Sequence, residues 1–411
     1  MTRRPFSPNS VLVVCLCVAA SQSPAAEMTV PDGFAVGVFH DGIGARARHI
    51  AVRDNGDVFV ARRSGELVAL RDTNRDGTAD LVERRRLAIG TGLKIHNPFL
   101  YYSDNVTVSR LMLSDELMPS SDPEVIVRGF PRQGAHADKA IALNDRGDLF
   151  VNVGAPSNAC QAKTRSPGSP GFMPCPQLER QAGIWRFSAS RADQNQRDGE
   201  RHVTGTRNVV ALDWNDDEEA LYFVMHGRDQ LGQLWPDLYD DRDSAEKPAE
   251  EFHRAIQGAN YGWPYTYVDP ETGKRMVAPE YGGDGRTEAE PGKYQTPLQS
   301  YPAHWAPNDL VFYTGEQFPA RYRGGVFIAW HGSWNRAPLP QDGYRVTFQP
   351  FADGKVTGPP VDFMTGFAGG KALNRSSDAP HRPTGLAVGP DGDLYVTDTV
   401  TGRIWRVRWE G

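Results

Sequence analysis

One short pattern recurs along this chain: an Asp-Gly or Asn-Gly turn followed by a β-branched and aromatic run. Asn55-Gly56-Asp57-Val58-Phe59-Val60 is followed by Gly65-Glu66-Leu67-Val68-Ala69-Leu70. Asp145-Arg146-Gly147-Asp148-Leu149-Phe150-Val151 repeats the first half, and Gly183-Ile184-Trp185-Arg186-Phe187 the second. Glu219-Ala220-Leu221-Tyr222-Phe223-Val224 and Gly324-Gly325-Val326-Phe327-Ile328-Ala329 are variants. The clearest copy is the last, Pro390-Asp391-Gly392-Asp393-Leu394-Tyr395-Val396 with Gly402-Arg403-Ile404-Trp405-Arg406-Val407. Glycine accepts the positive φ of a tight hairpin turn, and the apolar run suits a strand buried on both faces. Five such hairpins, with a divergent stretch at 255–301 that holds one more plus an insertion, predict an all-β fold, a six-bladed β-propeller. A β-sandwich would not require the repetition. Segment 33–39 is expected to add a strand to the last blade and close the ring. No Pro-rich linker or low-complexity tract divides 27–411, which therefore reads as a single domain.

The first residues read as an export signal. Arg3 and Arg4 precede an apolar run at 11–20, and Pro24-Ala25-Ala26 offers a small-residue cleavage site, so 1–26 reads as a signal peptide. The run is too short to span a bilayer, and the paired arginines fit a Sec or a twin-arginine signal. The expected location is periplasmic or secreted. The formal net charge is −6, and removing two arginines and no acids takes it to −8. No basic patch of the kind that neutralises phosphates is present, which argues against nucleic acid, and no later apolar run suggests membrane insertion. Of four cysteines, Cys15 and Cys17 leave with the signal. Cys160 and Cys175 remain, and one disulfide between them is expected. It would staple a Ser-, Pro- and Gly-rich loop at 161–174, a closure worth about 3 kcal/mol in the chain-entropy account.

Residues 72–83, Asp-Thr-Asn-Arg-Asp-Gly-Thr-Ala-Asp-Leu-Val-Glu, fit a twelve-residue calcium loop. Asp72, Asn74 and Asp76 supply oxygens, Gly77 permits the sharp turn, Thr78 offers its carbonyl and Glu83 can chelate through two oxygens. The bland alternative is a polar hairpin loop without metal. Flanking helices are not apparent, so the ion would be structural.

The informative histidines and arginines sit beside the repeat strands, where propeller loops gather around the central channel. His136 and Lys139 lead into the strands after 140. Arg207-Asn208 precede another repeat, and His226-Gly227-Arg228 follow one. His304-Trp305 lead into the strand near 310. His331 and Arg336 follow the strand at 326–330, and Arg382 leads into the last repeat. For each residue alone, a satisfied loop side chain is the simpler reading. Six blades each offering His, Arg or Lys to one end would build a cationic funnel suited to an anion with several carboxylates.

These segments resemble the glucose/sorbosone dehydrogenase family, soluble six-bladed propellers that use pyrroloquinoline quinone (PQQ), most closely its L-sorbosone dehydrogenase-like branch. The resemblance spans nearly the whole chain after the signal. It rests on His136 before a repeat, Arg207-Asn208, His226-Gly227-Arg228-Asp229-Gln230-Leu231, Gly258-Ala259-Asn260-Tyr261-Gly262-Trp263-Pro264, His331-Gly332-Ser333-Trp334-Asn335-Arg336, Arg382, and Pro390-Asp391-Gly392. The resemblance implies PQQ-dependent oxidation of an aldose or sugar-derived aldehyde, with electrons passed to a separate acceptor. It implies that His136 is the catalytic base. Arg48, Lys139, Arg207, Asn208, His304, His331, Arg336 and Arg382 would contact the cofactor, and Trp305 would stack on the cofactor or the sugar. The backbone carbonyls of Gly227 and Arg228 would hold a PQQ-associated calcium. Two departures stand out. Ala155 occupies the position of an acid that would orient His136, leaving Asp138 or Asn158 as replacements. His331 stands where a cofactor-binding lysine is expected. A calcium-dependent lactonase propeller and a non-catalytic scaffold are the competing readings.

Overall fold

A computed structural model describes residues 28–411, so the expected signal peptide at 1–26 lies outside the described residues. Six four-stranded antiparallel units form the blades of a β-propeller. Their innermost strands are Ala47–Val52, Leu93–His96, Ile141–Leu143, Val209–Asn215, Pro307–Phe312 and Pro383–Val388, for blades 1 to 6. Each packs beside the innermost strand of the next blade, and the sixth returns to the first. The ring closes as expected: Phe34–His40 is the outermost strand of blade 6, antiparallel to Ile404–Trp409.

The aromatic and β-branched runs are explained by burial on two faces. Along Val58–Arg62, Val58 and Val60 pack with Ala387, Tyr395 and Ile404 of blade 6. Phe59 and Ala61, pointing the other way, pack with Leu93, Leu100 and Leu111 of blade 2. Successive strand residues face opposite sides, so each blade supplies half of two cores. Six apolar clusters fill the six gaps between blades.

One sequence expectation is corrected. The sixth blade is not in 255–301 but in 93–128, as Leu93–His96, Phe99–Ser103, Val108–Met112 and Glu124–Arg128. Its first turn is Asn97-Pro98, without the glycine that marks the first turns of blades 1, 3, 5 and 6, and this hid it from a search for repeats. Stretch 255–301 is an insertion in blade 4. It carries the hairpin Thr266–Val268 with Arg275–Val277 before returning as the outermost strand Gln299–Tyr301. Two short helices, Leu231–Leu234 and Asp241–Glu246, also lie in the connections of blade 4. Strand Gln194–Asn195, from the last connection of blade 3, pairs in parallel with Glu124–Arg128 of blade 2. Cys160 and Cys175 form the expected disulfide and pack with Ala155 and Trp263.

Ring closure is reinforced by Phe34. Its ring meets Phe318, Tyr322, Phe363 and Trp409 edge-on, with centroids 4.7, 5.2, 5.0 and 4.9 Å away. We expect Phe34→Ala to lower the unfolding free energy by about 3 kcal/mol. Exposed Val38 on the same strand is the control, and Val38→Ala should stay within about 0.5 kcal/mol of wild type. Equal denaturant midpoints for the two variants would show that this aromatic cluster does not hold the ring shut.

Candidate active site

The innermost strands all run from one end of the channel to the other, and a cavity opens at each end. The larger, about 330 Å³, lies where these strands finish and is acidic, with Asp145, Asp213, Asp216 and Asp217 in its wall. The other, about 250 Å³, lies where they begin. It holds most of the residues singled out from the sequence.

Arg48, His136, Arg207, Asn208, Gly227, His304, His331 and Arg382 all line this second cavity. They come from blade 1 and blades 3 to 6; blade 2 contributes nothing to the wall. Three expected side-chain contacts, Lys139, Arg336 and Trp305, are absent from this wall and engaged elsewhere. Lys139 is fully buried and donates to the carbonyl of Ala137 at 2.6 Å, away from the cavity. Arg336 spends its guanidinium on the carbonyls of Pro340 and Ala245. Trp305 donates from Nε1 to Asp342 and lies under the guanidinium of Arg345, 4.5 Å from its ring centre. Arg228 is buried in an ion pair with Glu280, and its Nε and Nη2 are without partners.

His136 is held in a way the sequence did not reveal. Its backbone has φ +49°, a left-handed conformation unusual outside glycine. Nδ1 lies 2.7 Å from the carbonyl oxygen of Ala155. A carbonyl can only accept, so Nδ1 carries the proton and Nε2 keeps a lone pair. The orienting group is thus the backbone of Ala155, whose side chain stands where an acid was expected. Asp138 and Asn158 do not take that role. Asp138 is engaged by Arg63, Arg48 and Thr91, and Asn158 by Arg207 and the backbone of Asp229. Gly154 makes room for the histidine: a Cβ there would stand 2.7 Å from His136 O and 2.8 Å from its Cβ.

The electrostatics favour an anion. Arg48, Arg63, Arg207 and Arg382 reach the wall against three acids. Asp138 pairs with Arg63 and Arg48, and Asp229 with Arg207 at 2.7 Å and Arg165 at 2.8 Å. Burial alone would raise both carboxyls, but the guanidiniums hold them below the ordinary range. Burial outweighs the N–H groups of Gly227 and Ala306 at the third acid, Glu250, and pushes it up to about 8. Arg382 has no carboxylate at ion-pair distance among the described residues and donates to the carbonyls of His331 and Gly332. Burial, aided by Arg207, brings His136 and His226 down to about 3. Burial also lowers His304 and His331. Four neutral imidazoles therefore stand among guanidiniums.

The wall also carries buried polar atoms with no protein partner: Asn208 Oδ1, His226 Nδ1, His331 Nε2 and Asn335 Oδ1. Such atoms are costly unless a ligand or water satisfies them. Together with Arg382 they fit a planar polycarboxylate carrying further polar atoms, as PQQ does. Of the two carbonyls expected to hold calcium, that of Gly227 is already engaged by a cation. The Gly227 carbonyl accepts from Arg207 Nη1 at 2.8 Å, which sets a cation against that position. The loop at 72–83 is the turn between Glu66–Arg71 and Leu81–Arg86. Asp72 accepts there from Asp76 N and Gly77 N, and Asp76 from Thr78 N. Glu83 is exposed within the second strand, opposite Ala69. Among the described residues no three His, Cys, Asp or Glu side chains gather as a metal cluster.

Sequence reading missed Arg63, Asp229, Glu250, Trp334 and Asn335 as lining residues. A signal for Arg63 existed. It directly follows the second strand of blade 1, as His226 and His331 directly follow the second strands of blades 4 and 5.

Residues 28–410 match the TrAA12-like family. The chain is 24% identical to the pyrroloquinoline quinone-dependent pyranose dehydrogenase of Coprinopsis cinerea over 95% of its own length, and spans 56% of that protein. The holo PQQ domain of the C. cinerea pyranose dehydrogenase superposes with TM-score 0.74 at 20% identity, covering 94% of this chain and 98% of that one. A Trichoderma reesei enzyme of Carbohydrate-Active Enzymes Family AA12 superposes with TM-score 0.76 at 19% identity, covering 94% and 99%.

The cavity makes a signed prediction for the cofactor-free protein. The four imidazoles have folded affinities for protons below that of the unfolded chain. Stability should therefore fall as pH drops below about 6.5, where the unfolded state takes up protons first. The depressed Asp138 and Asp229 add a loss at lower pH. Glu250, raised when folded, has the opposite sign, and its contribution is lost as pH rises through about 8. His226→Gln should reduce the slope of unfolding free energy between about pH 5 and 6.5 by about one proton. An unchanged slope would mean that His226 takes up protons freely in the folded cavity.

Proposed function

We propose, from the premise that the chain belongs to the TrAA12-like family, that it is a PQQ-dependent dehydrogenase of an aldose or a sugar-derived aldehyde such as sorbosone. One observation carries this reading. His136 with its lone pair, Asn208, His226 and His331, each with a buried unpaired atom, and the carboxylate-free Arg382 all line one cavity. Arg48, Arg63, Arg207 and Arg382 would hold the carboxylates, with Asn208, His226, His304 and His331 completing the contacts. When bound, PQQ supplies a quinone that accepts a hydride from the sugar carbon. His136 takes the proton from the reacting hydroxyl at Nε2 while Nδ1–H stays on the Ala155 carbonyl. Its neutral state, enforced by burial and Arg207, keeps that lone pair available at neutral pH. Electrons then leave to a separate acceptor. A periplasmic or secreted location agrees with the disulfide, and no helix among the described residues is long and apolar enough to cross a membrane.

We also propose that the 72–83 loop binds a structural calcium through Asp72, Asn74, Asp76 and the Thr78 carbonyl, with Glu83 reaching from its strand. Calcium should then raise the melting temperature, a chelator should lower it, and Asp76→Ala should abolish the response. A melting temperature indifferent to calcium in wild type removes the ion from this account.

Titration of the protein with PQQ, followed by an aldose screen with an artificial electron acceptor, tests the main reading. Arg382→Ala should weaken PQQ binding about tenfold or more, since a charge-assisted bond contributes roughly 1.5–3 kcal/mol. His136→Gln should keep PQQ affinity and lose turnover by about 10²–10⁴-fold, in kcat more than in KM. Near-native turnover in His136→Gln removes His136 as the base. Tight PQQ binding without oxidation of any sugar or aldehyde favours a non-catalytic scaffold.

A further inference from the structure

Trp334 is at odds with its surroundings. Its indole is 55% exposed, yet it belongs to the wall of the arginine- and histidine-lined cavity. The residue before it is fixed. Ser333 N donates to the Asp342 carbonyl at 2.8 Å, Ser333 Oγ donates to Gln341 at 2.8 Å, and the Ser333 carbonyl accepts from Tyr344 OH at 2.6 Å. The residue after it is fixed too, since Asn335 Nδ2 donates to Asp229 at 3.0 Å. Gly332, at φ +89°, lies so close to the Tyr344 ring that a Cβ would stand 2.4 Å from it. The turn is rigid, and the large apolar group it carries is left in solvent. Trp305, by contrast, is tied to Asp342 and covered by Arg345.

An exposed indole on a fixed backbone loses little conformational entropy when a ligand docks on it. Its ring face carries the negative part of the aromatic quadrupole and attracts partly positive C–H groups. A pyranose ring offers a whole face of C–H bonds at once, whereas an open-chain aldehyde does not. We propose that Trp334 is a specificity-determining platform, on which a pyranose ring lies at the mouth of the cavity while its anomeric end points inward. This rests on the sugar-dehydrogenase reading above and deepens it: the preferred substrate is a cyclic aldose rather than an open-chain sugar aldehyde.

The test uses the PQQ-loaded protein. An anhydrohexitol, a pyranose ring without the anomeric hydroxyl, is titrated calorimetrically into wild type, Trp334→Ala and Trp334→Phe. Trp334→Ala should bind it about tenfold more weakly, and Trp334→Phe should stay within about threefold of wild type. In turnover, Trp334→Ala should raise KM for an aldopyranose about tenfold and leave kcat/KM for a short open-chain hydroxyaldehyde unchanged. PQQ affinity, measured separately, should be equal in all three proteins. A tenfold loss of PQQ affinity in Trp334→Ala overturns the proposal by making the indole part of the cofactor site. Equal losses for ring and open-chain substrates, or no loss for either, overturn it as well. Wild-type protein that takes up PQQ and oxidises sugar-derived aldehydes but neither binds the anhydrohexitol nor oxidises an aldose overturns this assignment alone, whereas one that oxidises neither aldoses nor sugar-derived aldehydes overturns the dehydrogenase reading and this assignment with it.

Discussion

Two-sided burial of every blade is the constraint on which the rest of this structure depends. Val58 and Val60 answer to blade 6 while Phe59 and Ala61 answer to blade 2, and the same division recurs around the ring. A strand with two apolar faces has no solvent side, so no blade is satisfied until it has a neighbour on each flank. The arrangement ends only when the last blade meets the first. Closure fixes the central channel, and the channel fixes which loop residues can meet.

That geometry accounts for the chemistry of the cavity. The residues of its wall are far apart in sequence and converge because the innermost strands all start at the same end. Convergence brings cations together and excludes water, and both effects disfavour protonated imidazole. The result is a set of neutral histidines under a positive field, with Asp229 pinned between Arg207 and Arg165. Because two of the guanidiniums bracket Asp138 and two more bracket Asp229, the local field is less positive than the number of arginines suggests. Arg382, which no carboxylate answers, stands out for that reason.

Where a residue's position follows from strand order, the sequence was sufficient. Glycine-marked turns disclosed four blades and the apolar run after Glu219 a fifth, the strand at the N-terminal side of blade 1 was recognised as the closing one, and the cysteine pair after the expected signal was joined correctly. His136, Arg207, Asn208, His304, His331 and Arg382 were placed because each adjoins a repeat strand. Lys139 failed the same reasoning, since adjoining a strand does not decide which way a side chain turns. Blade 2 was missed because Asn97-Pro98 makes its turn without glycine. The orienter of His136 was unreadable for a deeper reason: a backbone carbonyl is offered by every residue and leaves no mark on the sequence. Glu250 and Asp229 were overlooked because a carboxylate in a cationic cavity looks, from the sequence alone, like an ordinary surface acid.

The strand that completes blade 6 comes from the opposite end of the chain to its partner. Phe34–His40 is made among the first of the described residues, and Ile404–Trp409 among the last. During synthesis the early strand must wait without its partner until residues 404–409 have emerged. Folding can therefore be local and early within blades 1 to 5, yet the transition that makes the molecule a ring is long-range and late. A nascent chain cut short before residue 404 is an arc with an unpaired sheet edge, the kind of surface that recruits other strands. Quality control of this protein should thus turn on whether residues 404–409 arrive.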